Sequence, residues 1–128
     1  MERKIVRIAA ILGILAIILG AFGAHALKKI LTTEQLVTFE TGVKYQMYHA
    51  LLLLFVGLSL QVSEIAKRRI FYFAVTGVLC FSGSIYLLAT NDLTTFDFKK
   101  IGFITPIGGL LLIVAWMCLF IDFLKKKP

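Results

Sequence analysis

A chain of 128 residues has room for one domain, and with 59% hydrophobic and only 16% charged residues it is too apolar for a water-soluble globule. Its net charge of +7 would suit nucleic acid only as a patch interleaved with aromatic residues. The basic residues are instead dispersed among apolar blocks, so no nucleic-acid partner is expected.

Four apolar blocks follow one another: Ile5 to Leu27, Val43 to Val62, Ile70 to Thr90, and Ile104 to Leu124. Each approaches the ~20 residues needed to cross a hydrocarbon core. The expected fold is all-α: a four-helix transmembrane bundle with a short amphipathic helix between the first and second spans, the whole chain forming a single four-span membrane domain. Arg3, Lys4, Arg7, Lys67, Arg68, Arg69, Lys125, Lys126 and Lys127 would lie on one side, against Lys28, Lys29, Lys44, Lys99 and Lys100 on the other. The positive-inside rule then puts both termini in the cytoplasm, with a bacterial inner membrane as the expected location. Anionic-lipid contact is a second reading of the same charges.

Met1 to Ala26 also has the outline of a secretory signal, with Ala24-His25-Ala26 as a cleavage site. Its apolar run is longer than a usual signal core, so a retained first span is expected. Small residues at helical spacing, Ala9 with Gly13, then Ala16, Gly20 and Ala24, mark a packing seam; Gly23 stands at its outer end.

The chain next carries a helix start. Thr32 and Gln35 fit a capping box, and Leu31 with Leu36 a hydrophobic staple. A short helix from Thr33 is expected to lie on the outer surface through Leu36, Phe39 and Val43, bending inward at Gly42. Continued as a helix, this stretch groups Phe39, Val43 and Met47 on one face, Glu40, Lys44 and Tyr48 on a second, and Thr38, Tyr45 and His49 on a third. Glu40 and Lys44 also have the spacing of an intrahelical ion pair.

The loop from Ser63 to Arg69 is short enough to make spans two and three antiparallel neighbours. Thr76, Cys80 and Ser84, with Gly77 and Gly83, form a second small-residue line. Thr105-Pro106 predicts the start of the fourth helix, followed by Gly108 and Gly109. Trp116 falls at mid-membrane depth, and Asp122 is placed to pair with Lys125 or Lys126. In antiparallel spans, Cys80 and Cys118 would lie about 15 Å and about 9 Å from the cytoplasmic end, which disfavours a disulfide.

Four blocks carry a family resemblance: G-A-F-G-A-H-A-L (Gly20 to Leu27), T-G-V-K-Y-Q-M-Y-H-A-L (Thr41 to Leu51), F-S-G-S-I-Y-L-L (Phe81 to Leu88), and I-T-P-I-G-G (Ile104 to Gly109) with Trp116. In this order they resemble the YgdD and YwdK type of small bacterial membrane protein, which includes eukaryotic transmembrane protein 256. The resemblance implies a four-span membrane protein. It implies no established activity, cofactor or catalytic residue.

The candidate polar site gathers His25, Glu40, Lys44, Tyr45, Gln46, Tyr48, His49, Tyr86 and Thr105 near the outer interface. Such groups also cap helices and anchor an interface without binding anything. His25, His49 and Glu40 have metal-ligand chemistry but no recognised spacing, and paired histidines near the rim make a poor haem site. No cofactor or metal is expected. Ser82 and Ser84 lack a base, and no carboxylate pair lies within a span, so no enzyme is expected. The spans have no acidic residue at mid-depth to carry coupled protons, which counts against a transporter. Candidate helix-packing residues are Gly13, Gly20, Gly23, Gly77, Ser84, Gly108 and Gly109. The expected role is a small accessory or scaffold protein acting through helix contacts, as a homo-oligomer or in a larger membrane complex, with membrane lipids around it. The alternative is an outward-facing lipid or small-molecule site, or a transporter, at His25 and His49.

Overall fold

The computed structural model describes residues 1–95 and 97–125, and among them it contains four long helices and no strand. They are α1 (Glu2–His25), α2 (Thr33–Leu58), α3 (Glu64–Ala89) and α4 (Ile104–Lys125). In chain order α1 packs on α2, α2 on α3 and α3 on α4. Short links make α1, α2 and α3 successively antiparallel, and α4 runs antiparallel to α3, since Ser84 meets Thr105 while Gly77 meets Leu112. Lys126 and Lys127, counted above with the basic tail, lie outside the described residues.

Three segments, Glu2–Lys29, Glu64–Ala89 and Phe98–Lys125, are long and apolar enough to cross a membrane. At 26 residues, or about 39 Å, α2 has the length as well, but Lys44, Gln46 and His49 dilute its hydropathy. It lies between α1 and α3, and its deep residues Leu53 and Val56 are fully buried. The main core combines Ile5, Ala9 and Leu12 of α1 with Leu52, Leu53 and Val56 of α2, Ile70, Ala74 and Val78 of α3, and Leu112 and Ala115 of α4. A smaller outer cluster joins Leu27, Leu31, Phe39 and Ala89.

The capping box forms as expected: Gln35 N–H donates to Thr32 Oγ1 at 3.1 Å, and Thr32 N–H donates to Gln35 Oε1 at 2.9 Å. The short surface helix does not form as a separate element. It continues as one helix through Gly42 to Leu58, and Gly42 is a packing position where a Cβ would come within 2.7 Å of the Tyr86 ring. A 3₁₀ turn, Leu27–Lys29, makes the connection from α1 instead. Similarly, α4 begins at Ile104, so Thr105 lies inside the first turn and its hydroxyl is free to reach another helix. Pro106 still falls where a missing N–H breaks no helical hydrogen bond.

The expected seams are only partly used. A Cβ on Gly20 would lie 3.4 Å from Val43 and one on Gly23 3.1 Å from the Phe39 ring, whereas nothing lies within 4 Å of a Cβ at Gly13. The closest crossing is that of α3 with α4: a Cβ on Gly108 would overlap the backbone nitrogen of Phe81, and one on Gly77 would come within 3.1 Å of the Leu112 nitrogen. A Cβ on Gly109 would stand 3.5 Å from the Phe81 ring, an ordinary contact. Gly57 is a further close approach, where a Cβ would come within 2.9 Å of Val6. Cys80 and Cys118 are free.

Candidate functional site

An amide side chain in an apolar interior is costly unless its groups are paired. Gln46, only 4% exposed, meets that demand by joining three helices. Its Nε2 donates to the Leu12 carbonyl of α1 at 2.8 Å, and its Oε1 accepts from the Tyr86 hydroxyl of α3 at 2.6 Å. One turn away, Ser82 donates to the Gly42 carbonyl at 2.7 Å. The hydroxyls of Ser84 and Thr105 lie 2.5 Å apart and join α3 to α4. Ser84 gives its single proton to the Phe81 carbonyl, so Thr105 is the donor in that pair. No buried side-chain nitrogen or oxygen among the described residues lacks a partner.

His49 completes the polar line. Its Nδ1 lies 2.7 Å from the Tyr45 carbonyl, and its Nε2 lies 3.1 Å from the Trp116 indole nitrogen of α4. A carbonyl only accepts and an indole N–H only donates. The ring therefore carries its proton on Nδ1 and presents a lone pair at Nε2. These hydrogen bonds define one neutral tautomer.

Outside this contact, α2 and α4 stand apart and leave a groove of about 540 Å³. Phe81 of α3 lies within it, and Tyr45, His49, Pro106, Ile113 and Trp116 line its sides. Tyr45 and Phe81 pack at a centroid distance of 4.9 Å, and the rings of His49 and Trp116 meet edge-on at 6.1 Å.

The nine predicted polar residues do not share one depth. Gly23 packs on Phe39 and the Leu12 carbonyl bonds to Gln46, so α1 and α2 run past each other with His25 roughly 15 Å or more outward of His49. His25 is exposed at the end of α1, and Glu40, Lys44 and Tyr48 are exposed along α2. Gln46, His49, Tyr86 and Thr105 instead join helices in the interior, with Tyr45 on the groove wall. His49, expected near the outer interface, is displaced inward because α2 begins at Thr33 and places it about 24 Å from that end. The outward-facing site at His25 and His49 is thus not assembled, nor is the His25, His49 and Glu40 ligand set. Among the described residues, no three His, Cys, Asp or Glu side chains are grouped to hold a metal ion. The ion pairs formed there are those of Lys67, and Glu40 with Lys44 is not one of them.

The sequence reading missed the inner rim. Lys67, counted as a loop charge, is 1% exposed; its ammonium lies 2.7 Å from Glu2 and 3.9 Å from Glu64. The signal available was its register, one turn before Ile70 and Phe71 on the buried face of α3. Lys67 holds the Glu2 carboxyl below its ordinary pKa, first by the hydrogen bond and then by its charge. Asp122 accepts from the Ser63 backbone at 3.0 Å and from its hydroxyl at 2.6 Å, tying α4 to the start of α3.

The family model described as protein of unknown function DUF423 matches residues 19–109. A UPF0382 membrane protein of Staphylococcus saprophyticus is 38% identical over 92% of this chain and 94% of its own length. One from Haemophilus influenzae is 37% identical over 99% and 98%. The UPF0382 inner membrane protein YgdD of Escherichia coli K12 is 34% identical over 93% and 88%. No solved structure matches the chain.

Proposed function

This chain belongs to the DUF423 family of proteins of unknown function and is a multi-pass membrane protein; from that premise we propose that it is an accessory or scaffold protein acting through helix contacts in the bilayer. One observation carries this reading: the buried polar side chains are used in holding helices together. Gln46, Tyr86, Ser82, Ser84, Thr105 and His49 each complete a contact within or between helices. Interhelical hydrogen bonds of this kind supply specific association where water gives no hydrophobic drive. No catalytic role is assigned to them.

In this reading α2 is the fourth span. An antiparallel helix packed between two crossing helices crosses with them, and its buried polar groups, Gln46 and His49, are sheltered by contacts with α1, α3 and α4. The even number of crossings and the basic residues near Arg3 and Lys67 support cytoplasmic termini, and the name of the Escherichia coli relative supports an inner membrane. The outward faces supply the contact surface. Ile14, Ile17 and Ile18 of α1 are exposed, and Gly13 leaves room for the backbone of another helix.

Cross-linking in native membranes, followed by mild solubilisation and mass spectrometry, tests the proposal. A homo-oligomer or a stoichiometric protein partner is the expected result. A strictly monomeric protein with no cross-linked partner would overturn it.

A further inference from the structure

At the inner rim, the first turns of α1 and the last turn of α2 enclose an open cleft of about 460 Å³, lined by Glu2, Arg3, Val6, Arg7, Gly57 and Leu58. Arg3 and Arg7 stand four apart and therefore share one face of α1. Both are exposed, and neither forms an ion pair or a side-chain hydrogen bond among the described residues. Glu2 would oppose an anion there, but its carboxylate is held by Lys67 at 2.7 Å. Glu2 and Arg3 on the cleft wall belong to the first turn of α1, whose amide end has no side-chain cap and carries partial positive charge.

An apolar face lies beside the cleft. Leu58 also lines a second, larger open hollow of about 670 Å³, together with Leu51, Leu54 and Phe55 of α2. Leu51, Leu54 and Leu58 recur at helical spacing, and all three are exposed. Two exposed guanidinium groups beside an exposed apolar helix face match a molecule with a phosphate on a hydrocarbon chain. Arg supplies the planar fork that pairs with phosphate oxygens.

We propose that Arg3 and Arg7, with the Leu51, Leu54 and Leu58 face of α2, form a binding site for an anionic phospholipid. The phosphodiester sits between the two guanidinium groups, and one acyl chain lies along α2. Inorganic phosphate and a deacylated headgroup share the first contact but not the second, so neither is the expected occupant.

The full chain in neutral detergent is titrated with phosphatidylglycerol, phosphatidylcholine, glycerophosphoglycerol or inorganic phosphate and read by native mass spectrometry. Discrete phosphatidylglycerol adducts are expected, with a preference over phosphatidylcholine that falls roughly tenfold in the Arg3→Gln/Arg7→Gln protein and weakens with added salt. Arg68→Gln/Arg69→Gln removes the same charge from the same rim outside the cleft and is expected to keep the preference. Arg3→Lys/Arg7→Lys is expected to fall between wild type and the glutamine variant, because charge remains without the fork. Helix content by circular dichroism identifies any variant that has failed to fold. If a folded Arg3→Gln/Arg7→Gln protein keeps the preference, or the Arg68 and Arg69 variant loses as much, the site is not at this cleft. Competition by glycerophosphoglycerol or phosphate at the same concentration as the lipid would likewise overturn a lipid site.

Discussion

Trp116 and His49 stand on helices that are not neighbours in the chain, and a 3.1 Å hydrogen bond from the indole nitrogen to imidazole Nε2 is their link across the groove between α4 and α2. The pair ties together two helices that are otherwise joined through α3. Its geometry admits the neutral imidazole with its proton on Nδ1, since a second ring proton would meet the indole N–H head-on.

Trp116 is the single tryptophan of the chain and is 48% exposed, so its fluorescence reports on the groove directly. It lies twelve residues into α4, about 18 Å from the outer end. In vesicles, lipids brominated deep in the acyl chain are expected to quench it more strongly than lipids brominated near the headgroup. His49→Ala is expected to shift the emission while leaving that depth order unchanged. Strongest quenching by the headgroup-proximal label would move the pair to the interface and contradict the packing described above.

Gln46 is the residue whose loss should most disturb the joint of α1, α2 and α3. Gln46→Leu removes both its hydrogen bonds and leaves the Tyr86 hydroxyl to find a new partner; a loss of about 1–2 kcal/mol is expected for such contacts in a membrane. Tyr86→Phe removes one bond and should cost less. Because the two side chains share that bond, the double variant should lose less than the two single losses together. Denaturation in mixed micelles, followed by circular dichroism, measures all three. Strict additivity would mean that the Tyr86 to Gln46 bond contributes nothing.

The four long helices and their order were legible because apolar length decides them, and the short link from α2 to α3 made that pair antiparallel; the separate short helix expected before the second span is instead the first part of α2. Thr32 and Gln35 likewise announced a helix start through local chemistry alone. The single depth assigned to the polar residues was misread for a physical reason: Gly42 was taken as a bend, whereas it is a flat surface for Tyr86. With α2 continuous from Thr33, Gln46 and His49 fall in the interior while His25 stays exposed at the end of α1. Gly108 was named correctly as a packing residue, but its partner Phe81 depends on how α3 and α4 cross. The burial of Lys67 against Glu2 brings together the first turns of α1 and α3, 65 residues apart in the chain. Neither local periodicity nor charge counting contains that pairing.

At Gly108 a methyl group has nowhere to go, since the obstacle is the backbone of Phe81 rather than a movable side chain. Gly108→Ala must push α3 and α4 apart, with an expected loss of about 1–3 kcal/mol or more. Gly13→Ala is the matched control, because nothing lies within 4 Å of its Cβ. In the monomer it should be neutral, or stabilising by roughly 0.5–1 kcal/mol through helix propensity. The same denaturation assay compares them. Equal effects at the two positions would argue against the close crossing of α3 and α4.

Glu2 gives the fold a dependence on acid. Its carboxyl titrates below the ordinary 4.5 because Lys67 donates to it and adds a favourable charge. A carboxyl whose pKa is lowered by folding contributes stability above its unfolded value and loses that contribution as the pH falls through the folded one. Glu2→Gln should therefore be less stable than the wild type at pH 7, and the difference should shrink as the pH drops below about 4.5. Glu64 also lies near Lys67, at 3.9 Å, but it is present in both proteins, so the difference between the two curves reports chiefly on Glu2. Stability curves for the two proteins that stay parallel from pH 7 to pH 3 would show that the Lys67 contact does not stabilise the fold.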